Sequence, residues 1–440
     1  MTARIVREGR IPDPVRVARA LRAPELGPCL LFLSGGSALR QTARVMKRHT
    51  HNTVHLVTPF DSGGSSAILR DSFGMLAVGD LRNRIVALAD ETVRGNPATY
   101  EFFSYRLAEH GTPMALQDEL LAMIDGHHPL TVAIELPLQR LIRSYLRVFA
   151  ARTGLLPLAG SLESIALPRP AAASTAPFDL RGASIGNLLL AGGWLVHDGD
   201  MDAVSYLFSR IVEARGTVVP TVDRSLHLAV ALEDGRVVVG QHRITGKQGP
   251  PLESPIRRLW LTSSLDSEES VVCHASDKVT GLITSADVVV YPPGSFYTSV
   301  IANLTPLGIG GAIAAATVPK VYVPNIGLDT EQLGMTLQSA VQAIVLKAHA
   351  SAGRDGTPTP TDYVTHVLFD PKATPAAALD LDAVTAMGIE LVPTSLLATS
   401  LLATSLLATS LPGPGSEPDP AVAPERHCPQ KLTAALLSFA

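Results

Sequence analysis

This chain of 440 residues has little cysteine, no excess of positive charge and few apolar residues in its first stretch, and each shortage sets an expectation about function. Its three cysteines, Cys29, Cys273 and Cys428, are odd in number, far apart and without metal-ligand spacing. That is the usage of a reducing compartment and argues against a disulfide framework or a thiolate metal site. The formal net charge is −4, with lysine and arginine scattered. A nucleic-acid partner is therefore not expected. Met1-Thr-Ala-Arg-Ile-Val-Arg7 lacks the apolar core of a signal peptide, so a cytoplasmic protein is the expectation. Neither a full Walker sequence nor the six-residue dinucleotide fingerprint occurs. Gly246-Lys247 is followed by Gln248, where a magnesium-holding hydroxyl would stand.

What is present is an apolar content of 46%, enough for one large α/β domain or two ordinary ones. Strand-like runs alternate with helical ones, the signature of a mainly parallel sheet flanked by helices. The candidate strands are 29–33, 53–58, 286–291 and 320–324, the last two almost wholly apolar and so expected to be central. Leu226–Leu232 and Arg236–Gly240 flank the turn Glu233-Asp-Gly235, which reads as a β-hairpin inserted beside the sheet. Helical runs are expected at 38–49, 81–92, 115–124, 138–152, 200–215 and 332–350. The Pro/Ala-rich stretch 168–177 reads as an internal loop.

The C-terminal stretch repeats Thr394-Ser-Leu-Leu-Ala398 in tandem through Ala408, then continues into Leu411-Pro-Gly-Pro-Gly415. A five-residue period drifts about 140° per repeat around a helix of 3.6 residues per turn. In a strand an odd period alternates faces, so neither element keeps one apolar side. Residues 391–416 carry no charge, which raises a membrane span. Serine and threonine offset the leucines and no basic residues flank them, so a membrane is not expected as a partner. The division is a single domain over 1–392 and a low-complexity, disordered or loosely docked tail over 393–440.

Two glycine-serine loops each follow a candidate strand. Ser34, Gly35, Gly36 and Ser37 stand between a strand and a helix, where backbone amides and the helix dipole favour an anion. The same residues also suit a tight turn with Ser37 as a helix cap. The second loop, Thr58-Pro-Phe-Asp61-Ser62-Gly63-Gly64-Ser65-Ser66, puts an acid beside backbone donors at the carboxyl edge of a sheet. Asp61 there can ligate magnesium, orient a ribose hydroxyl or accept a proton, or serve as an Asx-turn residue. Asp80, Arg82 and Asn83 follow Gly79 and open a helix. Asp80 reads as its cap, and Arg82 as either a solvated side chain or a diphosphate clamp. Pro292-Pro-Gly294-Ser295-Phe-Tyr297-Thr298-Ser299 ends the strongest strand and offers an anion or uracil site, or simply a capped helix start. Gly182-Ala-Ser184-Ile-Gly186 matches a nucleophile elbow, but no buried strand precedes it.

Together these segments resemble the CofD/YvcK-like family, related to 2-phospho-L-lactate transferase, and its YvcK-type branch most closely. The family's Gly-Gly-Thr-Gly loop appears as Gly35-Gly-Ser-Ala38, and its Asp-Asp-Gly-Gly-Ser-Ser element as Asp61-Ser-Gly-Gly-Ser-Ser66. Gly79-Asp-Leu-Arg-Asn83, Ser184-Ile-Gly-Asn187, Glu233-Asp-Gly235, Pro293–Ser299 and Lys320–Asn325 follow in family order. The resemblance implies a Rossmann-like α/β fold whose loops bind a nucleotide-diphosphate-linked ligand. In the YvcK branch that ligand resembles a UDP-sugar and the protein is regulatory. In the transferase branch it is guanosine-diphosphate-linked lactate, attacked with magnesium present. The implied contacts are Ser34–Ser37, Gly63–Ser66, Arg82, Asn83, Asn187, Gly294, Ser295, Tyr297 and Thr298, with Asp61 as the catalytic residue and, where magnesium is used, its ligand. Ser62 replaces the second acid of the family's pair and Ala38 a loop glycine, changes that weaken the transferase reading more than the binding one. Two further expectations are that Ser184 is the nucleophile if the chain is a hydrolase, and that apolar helices around the sheet allow a homodimer.

Overall fold

A computed structural model describes residues 9–36, 38–92, 95–156, 178–246, 249–327, 329–398 and 426–440. The main sheet is built from β1 (Leu30–Ser34), β2 (Val54–Val57), β3 (Thr217–Pro220), β7 (Val288–Tyr291), β8 (Lys320–Tyr322), β9 (His366–Phe369) and β10 (Glu390–Pro393). Its order is β10-β9-β8-β7-β1-β2-β3, and every neighbouring pair is parallel. β1, β2 and β7 are buried along their whole length. That is why they read as unbroken apolar runs rather than alternating ones.

Alternate residues of β1 and β7 serve two cores. Leu31, Leu33, Val289 and Tyr291 pack with residues of the small sheet and the helix Leu337–Ser351. Leu30, Phe32, Val288 and Val290 pack on the other face with Leu396, Leu432 and Leu436. A helical layer fills the long connection from β2 to β3, with Leu69, Ile85, Leu146, Phe149, Leu188 and Phe208 among its core.

The expected hairpin is present as β4 (His227–Leu232) and β5 (Val237–Val239), antiparallel and joined through Gly235 at φ +89°. β6 (Ile256–Thr262) pairs with the other edge of β4 and completes a three-stranded sheet. The sequence did not announce β6, because the exposed Arg257 and Arg258 interrupt its apolar run.

The C-terminal stretch departs from the expected separate tail. The helix Pro429–Leu437 lays Leu432, Ala435 and Leu436 on the sheet, fully buried. Leu396 of the first repeat joins the same core, and Leu397 forms an isolated bridge with His427. A conserved apolar side was not needed, since one leucine of the first repeat suffices to dock it. Repeats from residue 399, and the predicted loop 168–177, lie outside the described residues. Among the described residues no helix is long and apolar enough to cross a membrane.

Strand order fixes where a ligand can enter. The chain runs outward from β1 to β2 and β3, then returns past β1 to lay down β7. The boundary between β1 and β7 is a topological switch point, and its carboxyl edge is the expected crevice of an open parallel sheet.

Candidate functional site

A cleft of about 300 Å³ opens at that edge, the lower end of the range for small-molecule sites. The loops after β1, β2 and β7 converge there, bringing Ser34–Gly36, Asp61, Gly63–Ser66 and Pro292–Ser295 to one wall system. Arg82, Asn83 and Asn187 line it too. Residues from three separated stretches, chosen on chemistry alone, therefore meet around one space. Ser37 lies outside the described residues.

The first loop is held by what lies beneath it. A Cβ on Gly36 would run into the Asp80 carboxylate, and one on Gly35 into the Ser299 hydroxyl, so close approach requires both glycines. Arg84, fully buried, donates from Nη2 to the carbonyl of Gly35 at 2.8 Å. Its Nε and Nη1 are buried without a partner. Burial pulls its pKa down to about 10, opposed by Asp80, so it stays cationic at neutral pH directly under the loop. Asn303 donates to the carbonyls of Ser34 at 3.1 Å and Ser299 at 2.9 Å, tying the β1 loop to the segment after β7.

The second loop turns through Asp61, whose Oδ1 accepts the Gly63 N–H at 3.1 Å. The Asx-turn role is real, and the side chain still faces the cleft. Gly64 starts its helix at φ +52°, which a Cβ would disfavour. Asn187 reaches across to donate to Ser65 Oγ at 3.0 Å, leaving its own Oδ1 buried and unpaired. Arg70 sits behind this loop and donates to the carbonyls of Asp61 at 3.0 Å and Leu226 at 2.7 Å.

Arg82 lines the cleft with its Nε buried and unpartnered. Burial lowers its pKa to about 10, with Arg106 and Arg40 pushing the same way and Asp80 opposing. A desolvated guanidinium beside two more arginines is a poised receptor for anionic oxygens.

Two expected contacts are not there. Tyr297 and Thr298 do not line the cleft. Their N–H groups donate to Glu331 Oε2 at 2.7 and 2.8 Å, and the Thr298 hydroxyl to Oε1 at 2.7 Å. The N–H groups at the helix start after β7 are thus already taken by a buried carboxyl group of the same chain. The Tyr297 hydroxyl donates to the Ile256 carbonyl at 3.0 Å. The turn itself is pinned by Asn325, which accepts from Gly294 N at 2.7 Å and donates to Gly294 O at 2.6 Å. Ser184 is fully buried and its Oγ has no hydrogen-bond partner. It has neither the access nor the base that a hydrolytic serine needs.

Sequence reasoning passed over Arg106, Gln241, His242 and Thr245 in the cleft lining, whereas Ser299, the last residue of the Pro292–Ser299 motif, is part of it. Ser62, standing where the family has an acid, lies 2.7 Å from His242 Nδ1. Burial lowers the His242 pKa, as does Arg243, against Asp61.

Magnesium fits this donor set only partly. Asp61 is one carboxylate, the Ser62 hydroxyl is taken by His242, and Asp80 packs beneath Gly36. Among the described residues no three His, Cys, Asp or Glu side chains converge to hold a metal. An ion here would take Asp61 and draw its other ligands from water and the bound phosphates, which is a common way to hold magnesium.

With this geometry in view, the model of the 2-phospho-L-lactate transferase CofD family matches residues 30–397. The chain belongs to the CofD family. Among its relatives, a gluconeogenesis factor of Listeria monocytogenes is 26% identical over 303 residues, covering 69% of this chain and 68% of that one. The gluconeogenesis factor of Bacillus subtilis is 24% identical over 371 residues, 83% of this chain and 90% of its own. A relative from Nostoc is 26% identical over 341 residues, and the chain spans only 56% of its length. The crystal structure of a UPF0052-family protein from Bacillus halodurans superposes with a TM-score of 0.61 at 23% identity, covering 93% of this chain and 99% of that one. That likeness establishes the CofD chain's fold, a mostly parallel α/β sheet with a small antiparallel sheet beside it.

Proposed function

We propose that this CofD-family chain binds a nucleotide-diphosphate-linked ligand of the UDP-sugar class and acts as a regulator rather than a turnover enzyme. The observation that carries the reading is the desolvated Arg82, its Nε buried and unpartnered, which lines one cleft together with two glycine-serine loops. A buried arginine under the charges of Arg106 and Arg40, with Asp80 opposing them, is costly, and a diphosphate would offset that cost with charge-assisted hydrogen bonds. The uridine and the regulatory role come from the resemblance to the YvcK branch. The regulatory role accords with relatives named gluconeogenesis factors.

The second reading is a magnesium-dependent transferase of the 2-phospho-L-lactate type, favoured by one observation, the Asp61 side chain in the cleft. Asp61 would hold the ion, and Arg82 or Asn187 would steady phosphate charge as it develops.

A thermal-shift screen with UDP-sugars, plain nucleoside diphosphates and guanosine-diphosphate conjugates, with and without magnesium, separates the two. A ligand at 100 times its Kd stabilises by about 2.7 kcal/mol, a shift of a few degrees. A magnesium-independent shift with a UDP-sugar is the expected result. A shift confined to guanine ligands with magnesium would replace it with the transferase, and no shift with any diphosphate would remove both.

A further inference from the structure

A second cavity, of about 650 Å³, lies between β6 and the helix Leu337–Ser351. Its size is within the range of small-molecule sites. It shares no lining residue with the cleft, although one helix serves both. From Phe296–Ile301, Ser299 and Val300 line the cleft, while Tyr297 and Ile301 line this groove.

β6 is an edge strand of the small sheet, and an open edge invites another strand. Here two of its carbonyls are already taken. The Tyr297 hydroxyl donates to that of Ile256 at 3.0 Å, and Lys347 Nζ to that of Leu259 at 2.9 Å. What the groove leaves open is side-chain surface. Ile256, Leu333, Met335, Ala343 and Leu346 make it apolar, with Leu333 41% and Leu346 50% exposed.

Three cations line the same groove: Arg257, Arg258 and Lys347. A β-bulge brings the two exposed arginines to one side. Leu232 pairs with Ile256 and Ala231 with Arg258, so Arg257 is an extra residue without a partner on β4. Regular alternation would send consecutive side chains to opposite faces, and a bulge re-aims them. Lys347 uses one of its three donors on Leu259. Burial lowers its pKa to about 8, with Arg258 pushing the same way and Cys273 opposing. Among the described residues none of the three cations is in an ion pair. Glu233 is the one acid in the lining. An apolar groove with surplus positive charge matches a ligand that is apolar along its body and anionic at one end. A peptide strand would need the β6 edge that Tyr297 and Lys347 occupy.

We propose that this groove is a second ligand site, for an anionic amphiphile whose apolar body lies against Leu333, Met335 and Leu346 and whose charged oxygens meet Arg257, Arg258 and Lys347. The site is independent of the nucleotide-diphosphate reading of the cleft.

The probe is 1-anilinonaphthalene-8-sulfonate, which carries one anionic group on an apolar body and fluoresces strongly in apolar surroundings. N-phenyl-1-naphthylamine, the same rings without the sulfonate, is the control. The full chain should bind the sulfonate saturably, one to one, and more tightly than the control. Arg257→Gln and Lys347→Gln should each weaken it about tenfold, the worth of a charge-assisted hydrogen bond, and leave the neutral control unchanged. Leu346→Glu, at an exposed helix position, should weaken both, and melting points check that each variant is folded. Decanoate or octyl phosphate should displace the dye, and the stronger competitor names the head group. Hydrogen exchange should show protection across residues 256–259 and 333–347. Protection confined to the loops after β1 and β2 would put the anion in the cleft and overturn the second site. So would a lack of saturation, displacement by neither competitor, or an affinity unchanged in the folded variants. A dimer that excludes the dye and is split by Leu346→Glu would overturn it too, giving the groove to a second copy of the chain.

Discussion

Glu331 clamps Thr298 twice, accepting its main-chain N–H at 2.8 Å and its hydroxyl at 2.7 Å. The same carboxylate takes the N–H of Tyr297, so the segment 329–332 holds the helix Phe296–Ile301, which carries Ser299 into the lining of the cleft. Burial, then Asp329, raises the Glu331 pKa to about 7. Unfolded, the group ionises near its ordinary 4.5. Between about pH 4.5 and 7 the folded chain therefore holds a proton that the unfolded chain has lost. Folding stability from this group falls as pH rises through that window.

Glu331→Gln keeps all three contacts, since its oxygen accepts both N–H groups and its amide donates to Thr298. The expected outcome is a flatter dependence of melting temperature on pH from 5 to 8, with the variant gaining on the wild type toward pH 8. Some slope should persist, because burial raises the Asp329 pKa as well. An unchanged slope would mean that Glu331 ionises normally in the folded protein.

Arg84 illustrates how function and stability separate. Its cation is fully buried, two of its nitrogens are unpartnered, and its one short bond goes to the Gly35 carbonyl. Replacing such a group by an apolar side chain of similar volume is often neutral for stability. Arg84→Met should accordingly shift the melting point by only a few degrees. It should weaken nucleotide-diphosphate binding about tenfold or more, by removing both the loop's anchor and a cation beneath it. A large loss of stability with affinity retained would reverse that assignment.

Much of this fold was legible because burial on both faces leaves a plain signature. Val288–Tyr291, expected to be central, is apolar without alternation and stands in the middle of the sheet, and Lys320–Tyr322, expected to be central too, lies beside it between β7 and β9. The loops were legible because close approach demands glycine, as Gly36 against Asp80 shows. What escaped was whatever depends on contacts between distant segments. The Pro293–Ser299 motif looked like an open anion site, and only the fold reveals that Glu331 already fills the helix start. His242 carries no local signal, since its placement comes from the packing of the small sheet against the Asp61 loop. The repeat tail misled for the same reason: periodicity describes an element by itself, while Leu396 and Leu436 are ordered by the sheet they meet.

Arg82 should show the opposite balance from an ordinary core residue. It is 9% exposed, unpartnered at Nε, and faces two like charges. Arg82→Gln removes that repulsion and desolvation, so the ligand-free protein should melt higher, by on the order of 1 kcal/mol. Binding should fall by about 1.5–3 kcal/mol, the usual worth of a hydrogen bond to a charged group. Thermal shift without ligand and calorimetry with a UDP-sugar read the two effects separately. A variant that melts lower and binds normally would make Arg82 structural.

Ser62 offers the sharpest distinction between binder and transferase, because this one position separates the chain from the family's acid pair. In the wild type its hydroxyl is occupied by His242, leaving Asp61 as the loop's single carboxylate. Ser62→Asp would place a second carboxylate beside the first. Without a cation the two repel, so the melting point in chelator should drop below that of the wild type. With about millimolar magnesium the pair gains a shared counter-ion and the melting point should recover, since one or two carboxylates with phosphates and water suffice for this ion. Ligand binding, expected to be indifferent to magnesium in the wild type, should then become dependent on it in the variant. Titrating magnesium against both proteins with a fixed UDP-sugar concentration gives the comparison directly. If the wild type already requires magnesium to bind, the single acid Asp61 is enough, and the case for a regulator over a transferase loses its main structural support.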